Sequence, residues 1–161
     1  MSDKKNIFIS HVHEDDDLLP KLKDLISRAG MDVRDGSINS DKPNDASSKD
    51  YIMNEIIAPR IRWASTLVVL ITHDTAQSEW VNREIRYAVE QEKNVVGVFA
   101  QGATDVDIPE ALRKYGDAAP VGWQGQRVID AINGKYTGWD DPVTGDQRAT
   151  PMWVAKRFSC G

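Results

Sequence analysis

Cysteine is almost absent from this sequence: its 161 residues include a single one, Cys160. One thiol excludes a disulfide within these residues, and such a composition is typical of proteins that work in a reducing compartment. Cys160 also lies outside every predicted helix and strand, which argues against a cysteine nucleophile. We therefore expect a cytoplasmic protein without thiol chemistry.

Long apolar runs and an excess of positive charge are missing too. No run approaches the ~20 apolar residues of a membrane-spanning helix, and residues 1–10 lack the apolar segment of a signal peptide. Acidic residues outnumber basic ones by 25 to 20, which gives a formal net charge of −5 and a pI of about 5.2. Nucleic acids and anionic membranes attract basic surfaces, so we expect neither as a partner.

The glycine-rich motifs that cradle phosphates are also absent. Neither G-x-G-x-x-G nor G-x-x-x-x-G-K-[ST] occurs in the chain. This excludes the Rossmann and P-loop fingerprints, although a nucleotide can bind by other means.

The chain does contain a regular alternation of strand and helix patterns. The apolar run Leu67–Ile71 has the length and β-branched composition of a central parallel strand. Similar short runs lie at 6–10, 31–34, 95–99 and 118–121. Helical periodicity covers about 16–30, 49–63, 78–93, 109–115 and 123–132, and Pro59 predicts a kink or break in the second helix.

This order of elements predicts an α/β fold of the flavodoxin-like type. We expect a three-layer sandwich around five parallel strands in the order 2-1-3-4-5. The pattern ends near Gly134, so the predicted domain covers residues 1–134. Residues 135–161 are rich in turn-forming residues and form a predicted extension of unknown role, although Met152–Val154 could dock on the body.

The helix after the central strand carries the most informative acidic residue. Ser78 is a good helix cap, and Trp80 and Glu84 are four residues apart, on one face of the helix. Glu84 borders the predicted buried stripe of Val81 and Ile85. It has no Lys or Arg three or four positions away, so a surface ion pair within the helix does not explain it.

The predicted topology brings several polar side chains to one edge of the sheet. In a 2-1-3-4-5 sheet, ligands bind beyond the carboxyl ends of strands one and three. Strand one delivers Ser10 and His11 there, strand two delivers Asp35, and the third strand and its helix deliver Trp80 and Glu84. A carboxylate beside an aromatic ring suits stabilisation of an oxocarbenium ion or binding of ribose hydroxyls. The alternative is a solvated Glu84 and a Trp80 that belongs to the core.

Two other functions fit parts of the same pattern. The segment His11–Asp16 resembles part of the metallo-β-lactamase signature, but His73 is the only further histidine outside that segment, and zinc sites need three or four well-placed ligands. We therefore expect no metal. Acidic residues after strand one also suit a response-regulator receiver, but residues 118–121 lack the lysine expected in its last strand.

Two blocks of the sequence resemble TIR domains, specifically the TIR-like branch of bacterial anti-phage Thoeris systems. Ile7–His11 is similar to the first TIR strand and its exit. Residues 61–88, with Ser78, Trp80 and Glu84, are similar to the TIR strand, S-x-W motif and catalytic-glutamate helix. Residues 35–48 fall where TIR domains carry their BB loop. The resemblance covers about residues 4–134.

The resemblance implies an enzyme that cleaves the nicotinamide–ribose bond of NAD. Glu84 would be catalytic, and Ser10, His11, Asp35 and Trp80 would bind the substrate. NAD is the substrate, and no further cofactor is expected.

The family also implies a diffusible ADP-ribose-derived messenger that acts on a separate effector protein, and activation as a homo-oligomer. The lack of a second domain fits such a signal-producing subunit. One departure from the pattern is Val81, where eukaryotic TIR domains commonly have cysteine. Because some TIR domains are adaptors without catalysis, a non-catalytic interaction module remains the alternative.

Overall fold

The computed structural model describes residues 5–12, 15–35, 52–115, 120–136, 139–144 and 146–148. Within them, four parallel strands form a sheet in the order β2-β1-β3-β4. The strands are β1 (Lys5–Ser10), β2 (Val33–Asp35), β3 (Thr66–Ile71) and β4 (Asn94–Phe99). The predicted α/β class, parallel pairing and relative order of these four strands are confirmed.

The prediction of a fifth strand at 118–121 needs correction. Residues 118 and 119 lie outside the described part of the chain, and Val121 makes a single parallel bridge with Val98 of β4. Two hydrogen bonds hold it: Phe99 N donates to Val121 O, and Val121 N donates to Gly97 O. Pro120 has no N–H to extend the ladder. In the described residues this segment therefore lies beside β4, as predicted, but is not a strand.

The helices are shorter than their sequence patterns suggest. They are α1 (Leu18–Arg28), α2 (Ala58–Trp63), α3 (Glu79–Glu90), α4 (Glu110–Tyr115) and α5 (Gly125–Ile132). A π-helical turn, Ile52–Ile57, runs directly into α2, and a 3-10 turn covers Asp105–Asp107. Pro59 lies in the first turn of α2, where its missing N–H costs little. The predicted break at Pro59 is thus a change of helix type.

Side-chain alternation along the strands produces two apolar layers. Phe8, Val69 and Phe99 face the side covered by α3. Ile9 and Val68 face the opposite side, which α1 and α5 cover. Because successive strand residues point to opposite faces, both surfaces of the sheet are buried. The predicted three-layer arrangement is present in the described residues.

A short hairpin near the carboxyl terminus bonds to the body of the domain. Its strands are β5 (Trp139–Asp140) and β6 (Gln147–Arg148), paired antiparallel. Asp140 is 1% exposed and accepts hydrogen bonds from Gly122 N, Arg127 Nε and the Tyr136 hydroxyl. Burial and the hydrogen bond to Asp140 raise the pKa of Tyr136 to about 12. Arg148 forms a bidentate pair with Asp105. Met152–Val154 lies outside the described residues.

In the described ranges, no helix is both long enough and apolar enough to cross a membrane.

Candidate functional site

The candidate site lies where β1 and β3 end, beneath the amino-terminal half of α3. Phe8 faces the α3 side of the sheet, so Ser10, two residues further along β1, faces the same side. Val81, Ile85 and Ala88 anchor α3 to this surface. Glu84 occupies the same buried face and is therefore directed toward the end of β1. Ser78 accepts a hydrogen bond from Val81 N, which confirms the predicted cap.

Ser10 and Glu84 form the buried centre of the site. The Ser10 hydroxyl donates to Glu84 Oε1 at 3.2 Å, and both residues are 0% exposed. Burying a carboxylate is costly unless hydrogen bonds compensate for its lost hydration. The hydroxyl of Ser10 provides one such bond and fixes the orientation of the carboxylate. The structure thus brings together two of the predicted site residues.

His11 is placed next to this pair but is held by other contacts. It is 2% exposed, its Nδ1 lies 3.1 Å from Ile9 O, and its Nε2 lies 2.6 Å from Asp16 Oδ1. Both partners are oxygen acceptors, so a ring nitrogen that carries a proton donates it to the oxygen beside it. His11 therefore connects the end of β1 to the segment that leads into α1. Both ring nitrogens of His11 thus contact oxygens of the protein itself. Its predicted role in substrate binding stays a prediction.

A second set of polar contacts joins the two loops that border the site. The Thr72 hydroxyl, just after β3, donates to Asp15, just before α1. Thr72 N donates to Thr75 Oγ1 at 2.8 Å, and the buried Thr75 hydroxyl donates to Leu70 O. The Thr72–Asp15 bond joins the β3–α3 loop to the β1–α1 loop, and the two bonds of Thr75 hold the β3–α3 loop to the end of β3. The sequence offered no signal for this pairing, because Asp15 and Thr72 are 57 positions apart. Asp15 also lies in an acidic segment that is typical of a solvated helix start.

Of the two remaining predicted site residues, Trp80 lies near the Ser10–Glu84 pair and Asp35 lies further away. Trp80 is partly buried and packs against the apolar cluster under α3, one turn before Glu84. Asp35 is opposite Ile7 in the β1–β2 register, three residues before Ser10. This places it roughly 10 Å from Ser10 along the strand direction. Asp35 instead pairs with Lys23 of α1 at 3.0 Å. Its predicted role in substrate binding stays a prediction.

His73 forms a further polar pair that the sequence did not reveal. Its Nδ1 lies 3.1 Å from Asp107 Oδ2, and the ring is 71% exposed. The same Asp107 oxygen accepts from Thr104 N, which closes the 3-10 turn. Within the described residues, no three histidine, cysteine or acidic side chains are grouped as a metal site requires. His13 and Glu14, and residues 36–48 of the predicted BB loop, lie outside the described part.

Comparison with known families identifies the class of this protein. The family described as "Thoeris protein ThsB, TIR-like domain" matches residues 8–105, which is more than half of the chain. The match includes residues 8–10 of β1 and all of β3 and α3, and with them Ser10, Trp80 and Glu84. This chain belongs to that family, as its resemblance to TIR-like Thoeris proteins predicted. No protein of curated function matches the sequence.

Solved structures with a similar arrangement have low sequence identity. A Clostridium botulinum CMP N-glycosidase, BcmB, is 12% identical, with 80% of this chain and 99% of that one covered and a TM-score of 0.49. A conserved protein from Enterococcus faecalis V583 is 17% identical, with coverage of 81% and 76% and a TM-score of 0.41.

The TIR domains of the Roq1 resistosome, which directly recognises the pathogen effector XopQ, are 23% identical. Coverage is 70% of this chain and 64% of that one, and the TM-score is 0.41. At such scores, these likenesses assign no substrate or activity to the present chain.

Proposed function

We propose that this protein is an enzyme that cleaves the nicotinamide–ribose bond of NAD. In this proposal its product is an ADP-ribose-derived messenger of anti-phage defence, which acts on a separate effector protein. The observation that carries the proposal is the Ser10–Glu84 pair, a fully buried and oriented carboxylate at the carboxyl ends of β1 and β3. This is the position at which open α/β sheets bind their ligands, in a chain that belongs to a Thoeris TIR-like family.

The proposed reaction breaks the bond between C1′ of the ribose and the pyridinium nitrogen. Both bonding electrons leave with nicotinamide, which departs neutral and needs no acid to protonate it. The ribose becomes an oxocarbenium ion, and the Glu84 carboxylate stabilises this cation and accepts hydrogen bonds from the ribose hydroxyls. Capture by water gives ADP-ribose, whereas capture by a hydroxyl of the same molecule gives a cyclic product. Either route releases one proton.

The packing of Glu84 has a consequence for the regulation of this reaction. Its side chain is inaccessible to solvent in this conformation, so substrate contact requires the surrounding residues to separate. We therefore expect the purified protein to turn over NAD slowly until a trigger, such as self-association, opens the site. Trp80 borders the same helix face, and in the proposed open form it would flank the nicotinamide ring.

The experiment follows nicotinamide release from NAD by liquid chromatography, with mass spectrometry of the second product. The protein is assayed alone, at increasing concentration, and in lysate from phage-infected cells. The proposal predicts release that is low for the dilute purified protein and rises in infected lysate, together with an ADP-ribose-derived product. A lysate from cells without the protein is the control. Absence of release in every setting would contradict the proposal.

The burial of Glu84 also favours a second candidate, a non-catalytic interaction module. In this candidate, the Glu84 carboxylate, which is bonded to Ser10 and closed to solvent, serves to tie α3 to β1. This candidate predicts no NAD turnover under any condition and a partner protein that binds the domain directly. Cross-linking in infected cells, followed by identification of the bound protein, distinguishes it from the enzyme.

A further inference from the structure

A cavity of about 420 Å³ lies on the other side of the sheet from Glu84. It opens between α1 and the chain that follows β4 and the Val121 bridge, with Ala100 at its base. Its apolar lining includes Leu18, Leu25 and Trp123, and these three pack against the cluster between the sheet, α1 and α5. The Ser10–Glu84 pair belongs to the α3 side. The cavity is therefore separate from the proposed NAD site.

One wall of the cavity is an aromatic ring on a fixed backbone. Trp123 is partly exposed, and the residue before it, Gly122, donates its N–H to the buried carboxylate of Asp140 at 3.0 Å. Val121, one residue earlier, is bonded to β4 through both its N–H and its C=O. The ring is consequently presented to the cavity by a segment with little freedom. A flat partner that stacks on it loses little further entropy from the protein.

The lining of the cavity includes two basic residues and one acidic residue. Lys21, Asp24 and Arg28 lie on one face of α1 at intervals of three and four residues. Arg28 Nε and Asp24 Oδ2 are paired at 2.9 Å, so their charges offset each other. Lys21 forms no salt bridge within the part of the chain that the structure describes. In a protein of net charge −5, this exposed lysine makes the mouth attractive to an anion.

We propose that this cavity binds a small molecule with a flat heteroaromatic ring and one anionic group, of the nucleoside monophosphate class. The ring stacks on Trp123 between Leu18 and Leu25, and the phosphate lies at the mouth near Lys21. The volume of this cavity, which apolar and polar side chains line in equal number, is typical of a small-molecule site. Stacking on tryptophan and a single lysine contact provide modest affinity, as a reversible sensor of such a ligand requires.

The test measures binding of AMP by isothermal titration calorimetry, with adenosine and inorganic phosphate as partial probes. We expect AMP to bind more tightly than either partial probe, because only AMP has both groups. Lys21→Ala should weaken AMP binding roughly three- to fivefold and leave adenosine unchanged. Trp123→Leu should weaken both by about tenfold. Lys114→Ala is the matched control, since Lys114 is an exposed lysine on a different helix, and should bind like wild type.

A second comparison separates this cavity from the proposed NAD site. AMP affinity should be the same in Glu84→Gln as in wild type, and raising the salt concentration should weaken AMP more than adenosine. Loss of AMP binding in Glu84→Gln, with full binding in Lys21→Ala, would overturn the proposal, as would absence of AMP binding at millimolar concentration. Circular dichroism checks that each variant is folded. If Trp123→Leu does not fold, the Lys21→Ala and Lys114→Ala comparison decides.

Discussion

Ser10 and Glu84 are 74 positions apart and share a hydrogen bond that water does not reach. The residues next to each of them in the sequence do not by themselves create this buried environment. The strand alternation turns Ser10 toward α3, and the helical periodicity places Glu84 among the apolar residues of that helix. A buried acid in this setting stabilises the fold only while its hydrogen bonds are intact, and it is also well placed for chemistry at the sheet edge.

Removing the Ser10 hydroxyl tests the structural part of this pairing. Ser10→Ala deprives a buried carboxylate of a donor, so we expect the free energy of unfolding to fall by about 1–3 kcal/mol. Urea denaturation measures the change. Ser65→Ala is the matched control: the Ser65 hydroxyl also makes one hydrogen bond, to Asn6 O, but is exposed, and its loss should cost under about 0.5 kcal/mol. Equal losses of unfolding free energy in the two variants would show that the buried Ser10–Glu84 bond stabilises the fold no more than an exposed hydrogen bond does.

His11 is the third residue at the end of β1, and its contacts make a similar comparison possible. Asp16→Ala removes the acceptor of the nearly buried Nε2 nitrogen, and we expect a loss of about 2–3 kcal/mol in unfolding free energy. Asp24→Ala breaks the exposed Asp24–Arg28 pair of the same helix region and should cost less than about 1 kcal/mol. Chemical denaturation of both variants measures the difference. A larger loss of unfolding free energy in Asp24→Ala would contradict the role of the His11–Asp16 contact in joining β1 to the segment before α1.

Among the elements, β3 and α3 were predicted well because local sequence determines them. Leu67–Ile71 is continuous and β-branched, and the structure shows a fully buried central strand, Thr66–Ile71. Ser78 caps α3 as expected, and the predicted apolar stripe is buried. Glu84 was expected at the border of this stripe but is completely enclosed. The periodicity of apolar residues predicts which face of the helix a residue lies on, with an uncertainty of about one position. How deeply that residue is buried depends on what packs against the face.

Several contacts that the sequence did not reveal join segments that are distant in the chain. The Asp15–Thr72 bond links two loops across 57 positions, and Asp140 collects donors from Gly122, Arg127 and Tyr136. A side chain such as Asp140 has no periodic pattern that marks it as buried. The sequence therefore predicts no role for the extension after residue 134, although its described hairpin bonds to the domain body.

The hairpin depends on the charge of Asp140, which one substitution can remove. In Asp140→Asn, the side-chain amide N–H₂ faces groups that are themselves donors, so we expect a loss of about 3 kcal/mol in unfolding free energy. Asp146→Asn, in the same hairpin but exposed, is the control and should lie within about 0.5 kcal/mol of wild type. Thermal and urea denaturation provide the measurement. A neutral effect of Asp140→Asn would mean that the hairpin does not help to hold the domain together.

Helices α1 and α5 approach so closely that Gly125 leaves no room for a side chain. A Cβ atom added there would lie 2.8 Å from Leu25 O and 2.8 Å from Ala29 Cβ. Alanine in place of glycine favours a helix by at most about 1 kcal/mol, whereas overpacking costs about 1–3 kcal/mol. We therefore expect Gly125→Ala to be destabilising overall, as measured by thermal denaturation. Gln126→Ala, at an exposed neighbouring position, is the control; an increase in stability from Gly125→Ala would contradict this close packing.

For the molecule as a whole, the order of elements predicted the class of fold and the sheet edge at which Ser10 and Glu84 meet. The number of strands was less certain, because Pro120 restricts the last segment to one bridge beside β4. Asp35 shows the same limitation: topology places β2 beside β1, but Asp35 is opposite Ile7, three residues before Ser10. The register between strands is set by packing between distant segments. The sequence therefore predicted which strands meet at the candidate site, but it did not predict which of their residues lie there.

The proposed activity depends on a single carboxylate. Glu84→Gln keeps an oxygen that accepts the Ser10 hydrogen bond but loses the negative charge that would stabilise an oxocarbenium ion. Glu90→Gln makes the same chemical change at an exposed position of the same helix. This pair separates the charge of Glu84 from the general effects of the substitution, provided that both variants keep the circular dichroism spectrum of the wild type.

The decisive measurement is nicotinamide release from NAD by wild type, Glu84→Gln and Glu90→Gln, each added to the same infected-cell lysate. We expect wild type and Glu90→Gln to release nicotinamide at equal rates and Glu84→Gln to be at least about a hundredfold slower. A folded Glu84→Gln variant that retains the wild-type rate would contradict the assignment of Glu84 as the catalytic residue.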